Sequence, residues 1–318
     1  MEDMPVNGSA PVPAPRQVRR AASLCAFAAV VLIVIGSGLI LLLALLTRNI
    51  EIGDRAYADL QMLIGTVVTY LVATPAAWAL LLRRIPQSDM PETAEPERLS
   101  MRRLLFYFPC AFFLIYAGAL IGRLVGALFG DGLYDAVGSA GEDTSLWVLI
   151  LCTGVIGPAA EELFFRKAMM DRLAICHPVD AILYSALLFA LIHGNLAQFL
   201  YAFPVGVLLG VIYYRTQNIR YTILLHAAIN IAGGVIPVIL TTLSDGLPEI
   251  GGLLTLIWGL ATVALCVLGL VFLIAYRSAF FPIRSEKARI RKPLYCNAGF
   301  IVACVVFVGM FVINEILG

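Results

Sequence analysis

The chain has 318 residues, 61% of them apolar and only 14% charged, with a mean hydropathy of +0.92. A soluble domain carries about 25% charged residues, so these figures exclude a soluble globular protein and a disordered chain. The net charge of +1 leaves no basic face for nucleic acid.

Residues 1–21 (MEDMPVNGSAPVPAPRQVRR and the alanine after it) are polar and proline-rich, and are expected to be a disordered cytoplasmic N-terminus. After them the apolar runs begin. About 20 apolar residues cross a hydrocarbon core about 30 Å thick. Nine segments qualify: 22–46, 61–82, 104–129, 145–171, 179–194, 197–214, 221–242, 251–276 and 297–316. The first is too long for the apolar core of a signal peptide and lacks a small-residue cleavage site, so it reads as a retained helix. The fifth and sixth are short and need tilt or shielding by neighbours. The polar loop 85–101 sets two leading helices (22–82) apart from a membrane core (104–242) and two C-terminal helices (251–316). The expected fold is all-α: a polytopic membrane helix bundle of about nine transmembrane helices, with eight as the alternative.

Charge gives the orientation. With the N-terminus cytoplasmic and nine crossings, nineteen of the 22 basic residues fall on the inner side. Only Arg48 and Arg55 fall outside, and Arg123 lies within a span. The outer loops are acidic. Short loops and the lack of a targeting segment point to a bacterial inner (plasma) membrane. No GxGxxG or P-loop supports a nucleotide site. The seven cysteines form no CxxC pair and read as small hydrophobes. Gly118, Gly122 and Gly126 form a small-residue stripe suited to close helix packing. Pro75, Pro204 and Pro237 are expected to kink their helices, and His177 to lie solvated in a cytoplasmic turn.

Ionisable groups at membrane depth mark functional sites by default, and the chain gathers them between 145 and 236. In Glu161-Glu162-Leu163-Phe164-Phe165-Arg166 the two carboxylates point about 100° apart on a helix. Glu162 and Arg166 are i, i+4 partners, which suits a buried ion pair and leaves Glu161 facing elsewhere. Phe189 and His193 share a face of the fifth segment. His226 and Asn230 share a face of the seventh. Each polar group alone fits interhelical glue. Counting 1.5 Å per residue from the inner boundary puts Glu161 about 16 Å deep, His193 about 21 Å, Asn230 about 13 Å and His226 about 8 Å. Three helices can therefore bring a carboxylate, two imidazoles and an amide to one cavity.

No Ser or Cys stands beside an obvious base, so a covalent nucleophile is not indicated. A glutamate and a histidine can hold and deprotonate a water, and a second histidine with an asparagine can donate to a developing oxyanion. That set suits amide hydrolysis by direct water attack. Glu161, His193 and His226 could instead ligate zinc, although no short His pair is present. No other cofactor is indicated.

EELFFR, FALIH and HAAIN resemble the three motifs (EExxFR, FxxxH and HxxxN) of the CAAX prenyl protease and bacteriocin-processing (CPBP, or Abi) family of intramembrane endopeptidases. The resemblance covers about 90 residues, roughly 145–236, and includes Phe203, Gly206 and Gly210 of the sixth segment. It implies a glutamate-type intramembrane protease, related to the type II CAAX prenyl endopeptidases or to bacteriocin maturation and immunity proteins. Carried over by motif, Glu161 activates water with help from His193, and His226 and Asn230 form the oxyanion pair. Glu162 and Arg166, with Phe165 and Phe189, are supporting residues. The partners implied are a membrane-anchored peptide or protein substrate and the lipid bilayer. The competing readings are a non-catalytic membrane scaffold or immunity protein, and a transporter that uses the polar cluster as a path. The transporter lacks a symmetric pair of broken helices.

Overall fold

The computed structural model describes residues 13–49, 52–87, 98–129, 144–277 and 289–317. Among these residues every regular element is helical. The helices are α1 (Pro15–Thr47), α2 (Asp54–Arg84), α3 (Met101–Phe129), α4 (Leu146–Met170) and α5 (Pro178–Leu191). They continue with α6 (Leu196–Thr216), α7 (Ile219–Gly246), α8 (Pro248–Ala275), α9 (Arg291–Tyr295) and α10 (Ala298–Leu317). Seven of them, α1–α4 and α6–α8, are long and apolar enough to cross a membrane, and α5 and α10 are shorter apolar helices. The nine expected segments thus correspond to nine helices of a multi-pass membrane protein.

One boundary differs. Helix α1 starts at Pro15 and takes in Arg16, Arg19 and Arg20, which composition had assigned to a disordered tail ending at residue 21. Proline suits the first helical turn, where its missing N–H has no partner to lose. Residues 1–12 of that tail lie outside the described residues.

Three helices widen at a proline. Wide π-type turns occupy Val68–Ala73 of α2, Ile150–Ile156 of α4 and Ile231–Val235 of α7. Each ends two residues before a proline: Pro75, Pro158 and Pro237. A proline inside a helix gives up one hydrogen bond and crowds the carbonyl four residues back, and a wider turn absorbs both defects. The kinks expected at Pro75 and Pro237 take this form, and Pro158 adds a third. These are the helices that carry Tyr70, the glutamate pair and the His226–Asn230 face.

The core is not confined to the middle of the chain. Ala22, Cys25, Ala26 and Ala29 of α1 pack in one cluster with Phe165 of α4, Leu188 and Phe189 of α5, and Ala303 and Phe307 of α10. The alanine-rich face of α1 lets α10 approach until Gly299 meets the Ser23 carbonyl, where a Cβ would have no room. Helix α3 packs on α6 and α8. At that crossing a Cβ on Gly118 would stand 2.6 Å from the Leu200 carbonyl oxygen and 2.6 Å from Tyr201 Cα. Opposite these contacts α8 exposes Leu253, Leu256, Leu260 and Val263, as a lipid-facing helix should. Arg123 is also exposed.

Candidate active site

Glu161 and Glu162 sit on α4 just after Pro158 and are adjacent in sequence but differ in surroundings. Glu162 is fully buried. Its Oε1 lies 3.1 Å from Arg166 Nη1 and 2.9 Å from His226 Nδ1. Arg166, also fully buried, donates from Nη2 to the Gly206 carbonyl at 3.2 Å, and its Cζ lies 4.5 Å from the centre of the Phe189 ring. Phe165 meets the same ring edge to face at 5.5 Å. The expected ion pair, its two aromatic supports and the glycine-lined approach of α6 therefore form one unit.

Glu161 faces the other way, toward a cavity of about 130 Å³. Its Oε1 accepts the hydroxyl hydrogen of Tyr70 at 2.6 Å, and its Oε2 lies 3.7 Å from His226 Nε2. Ala160, Phe164, Phe165, Ile192 and His193 line the cavity from α4 and the end of α5. Leu32, Ile33, Thr69, Tyr70 and Thr74 line it from α1 and α2.

His193 owes its place to a turn inside the bundle. Helix α5 ends at Leu191, and Gly194 takes a left-handed φ of 70° that few other residues adopt. Asn195 then caps α6, its Oδ1 accepting from Gln198 N at 2.8 Å. Non-helical backbone at membrane depth needs internal partners. Here Asn314 donates to the Gly194 carbonyl at 2.8 Å, and Asn195 to the His193 carbonyl at 3.1 Å. His193 Nδ1 lies 2.8 Å from the Phe189 carbonyl. A carbonyl only accepts, so Nδ1 carries the proton and neutral His193 keeps a lone pair on Nε2.

His226 and Asn230 both reach α4 from α7. His226 is buried and bridges the two glutamates. Asn230 Nδ2 donates to the Thr153 carbonyl at 3.0 Å, inside the wide turn of α4. Neither residue lines the cavity, in contrast to Glu161 and His193. His177 is half-buried and caps α5, its Nδ1 accepting from Val179 N at 3.3 Å; sequence had placed it in solvent.

Among the described residues no three His, Cys, Asp or Glu groups are placed to hold a metal ion. His226 and His193 each hold Nδ1 in a hydrogen bond, to Glu162 and to the Phe189 carbonyl, which leaves Nε2 as the nitrogen a metal would take. Tyr70 is the contact that sequence reasoning missed.

Residues 143–232 match the family model described as "Type II CAAX prenyl endopeptidase Rce1-like". Over 154 residues the chain is 23% identical to the "Putative membrane peptidase YdiL" of Bacillus subtilis (strain 168), a stretch that covers 48% of this chain. The match spans 62% of that relative's length. No solved structure matches. Both findings bear out the resemblance carried by EELFFR, FALIH and HAAIN: this stretch is similar to the type II CAAX prenyl endopeptidases of the CPBP family.

Proposed function

We propose that the protein is an intramembrane endopeptidase that hydrolyses a peptide bond of a membrane-anchored substrate near the cytoplasmic face. The observation that carries this reading is that Glu161 and His193, from different helices, open on one cavity while Glu162 is locked in a buried ion pair. A water between them has two hydrogens to give, one to the Glu161 carboxylate and one to the His193 Nε2 lone pair. As it attacks the scissile carbonyl, Glu161 takes its proton and later delivers it to the leaving amine. His226, its Nδ1 held by Glu162 and its Nε2 turned toward Glu161 behind the cavity wall, is the first donor to the developing oxyanion. Asn230 has a second amide hydrogen beyond the one given to Thr153 and completes the pair. Glu162 and Arg166 hold His226 in place. No step calls on a metal ion.

The nineteen inner basic residues set the cytoplasmic side, and the membrane is proposed to be a bacterial plasma membrane. The test is incubation of the purified protein in liposomes with lipid-anchored and unanchored peptides, read by mass spectrometry. Cleavage of anchored peptides at one bond is expected. Proton-driven uptake without cleavage would instead mark a transporter.

A further inference from the structure

Tyr70 belongs to none of the three motifs, yet it makes the shortest contact to Glu161, 2.6 Å from its hydroxyl to Oε1. The local structure is shaped around this contact. Tyr70 lies in the wide turn Val68–Ala73 that precedes Pro75. Its ring faces Gly157, where a Cβ would stand 3.3 Å from the phenol oxygen. Gly157 lies one turn before Glu161 on the same face of α4. The bare face that admits the ring is therefore the face that carries the carboxylate. Tyr70 also lines the cavity beside Glu161 and His193.

We propose that Tyr70 is a positioning residue for Glu161, an inference that rests on Glu161 being the base. A glutamate side chain turns about three bonds, and a base must be held in line with its water. The Tyr70 hydroxyl fixes Oε1 and turns the carboxylate so that Oε2, on the His226 side, takes the proton. The leading helices thus supply a working part of the site as well as a wall of the cavity. A misplacement of about 1 Å in such a site costs on the order of 10²-fold in rate.

Tyr70→Phe keeps the ring and removes only the hydroxyl. Two measurements on the full-length protein in detergent test the proposal. The first needs no substrate: it is the rate at which dicyclohexylcarbodiimide, an apolar carboxyl reagent, modifies Glu161, located by peptide mass spectrometry. Freed of its hydroxyl partner, Glu161 is expected to react several-fold faster in the variant, and an unchanged rate would overturn the proposal. The second is steady-state cleavage, where kcat is expected to fall about 10- to 100-fold with KM and unfolding temperature unchanged. A raised KM with kcat kept would overturn the positioning role and leave the ring as a cavity wall. Early unfolding would overturn it too, making the contact a strut between α2 and α4. If the wild type cuts no peptide, the protease reading fails separately, and the labelling rate alone decides the Tyr70–Glu161 link.

Discussion

His226 Nδ1 lies 2.9 Å from Glu162 Oε1, which fixes the ring so that its other nitrogen faces Glu161. Glu162 in turn is held by Arg166, with both side chains fully buried. Removing one partner of a buried pair leaves an uncompensated charge and costs about 3–5 kcal/mol, whereas replacing both with apolar groups is often neutral. Glu162→Ala should therefore lower stability by about that amount. The double variant Glu162→Leu/Arg166→Met should recover the stability but not the activity, because His226 has lost its anchor. Unfolding in detergent and peptide cleavage, run on the same samples, check both halves.

Asn230 separates two roles. Its bond to the Thr153 carbonyl is worth on the order of 0.6–1.7 kcal/mol within a membrane bundle. Loss of an oxyanion donor lowers kcat about 10²–10³-fold. Asn230→Ala is expected to show both effects. A loss of stability with kcat retained would reduce Asn230 to a brace between α7 and α4.

Much of this site was legible in the sequence. The i, i+4 spacing of Glu162 and Arg166 set the pair apart from Glu161, and the same spacing put His226 and Asn230 on one face of α7. The fifth and sixth segments read as short spans in need of tilt or shielding; the fifth instead stops at the Gly194-Asn195 turn, and the sixth is long enough to cross as α6. Tyr70 was not legible. A single tyrosine in an apolar run carries no periodicity, and its nearness to Pro75 gains meaning only when the helix widens there. The start of α1 was missed because a polar, proline-rich composition outweighed a proline well suited to the first turn. The leading helices looked separable because polar residues 85–101 follow them, but their alanine face packs into the core regardless of that linker.

His177 gives a pH dependence outside the membrane spans. Burial holds its pKa below the ordinary 6.5, with Asp180 opposing and Arg289 and Arg291 adding to the effect. Its neutral ring accepts the Val179 N–H at the start of α5, and protonation removes that acceptor. A histidine with a lowered folded-state pKa favours the fold above its unfolded value and withdraws that support as pH falls through the folded value. Unfolding temperature should therefore decline below about pH 6.5, and His177→Asn, which keeps a capping group, should flatten the decline. Thermal scans of both proteins across pH 5–8 would reveal an unaltered slope if the cap is not responsible.

Gly118 tests the α3–α6 crossing. The atoms facing it are the Leu200 carbonyl oxygen and Tyr201 Cα, both backbone, at 2.6 Å from a Cβ. Backbone cannot turn aside as a side chain can. Gly118→Ala should cost about 1–3 kcal/mol by forcing the helices apart, whereas Gly252→Ala, with open space around it, should cost far less. Equal losses at both positions would contradict the packing.

The most direct test of Glu161 as the base is Glu161→Gln beside the wild type on a peptide that the wild type cuts. Glutamine keeps the shape and still accepts from Tyr70, but it cannot take the proton of water. Cleavage is expected to fall about 10²–10⁴-fold with the fold intact by circular dichroism and unfolding temperature. Cleavage at the wild-type rate by the glutamine variant would contradict the mechanism.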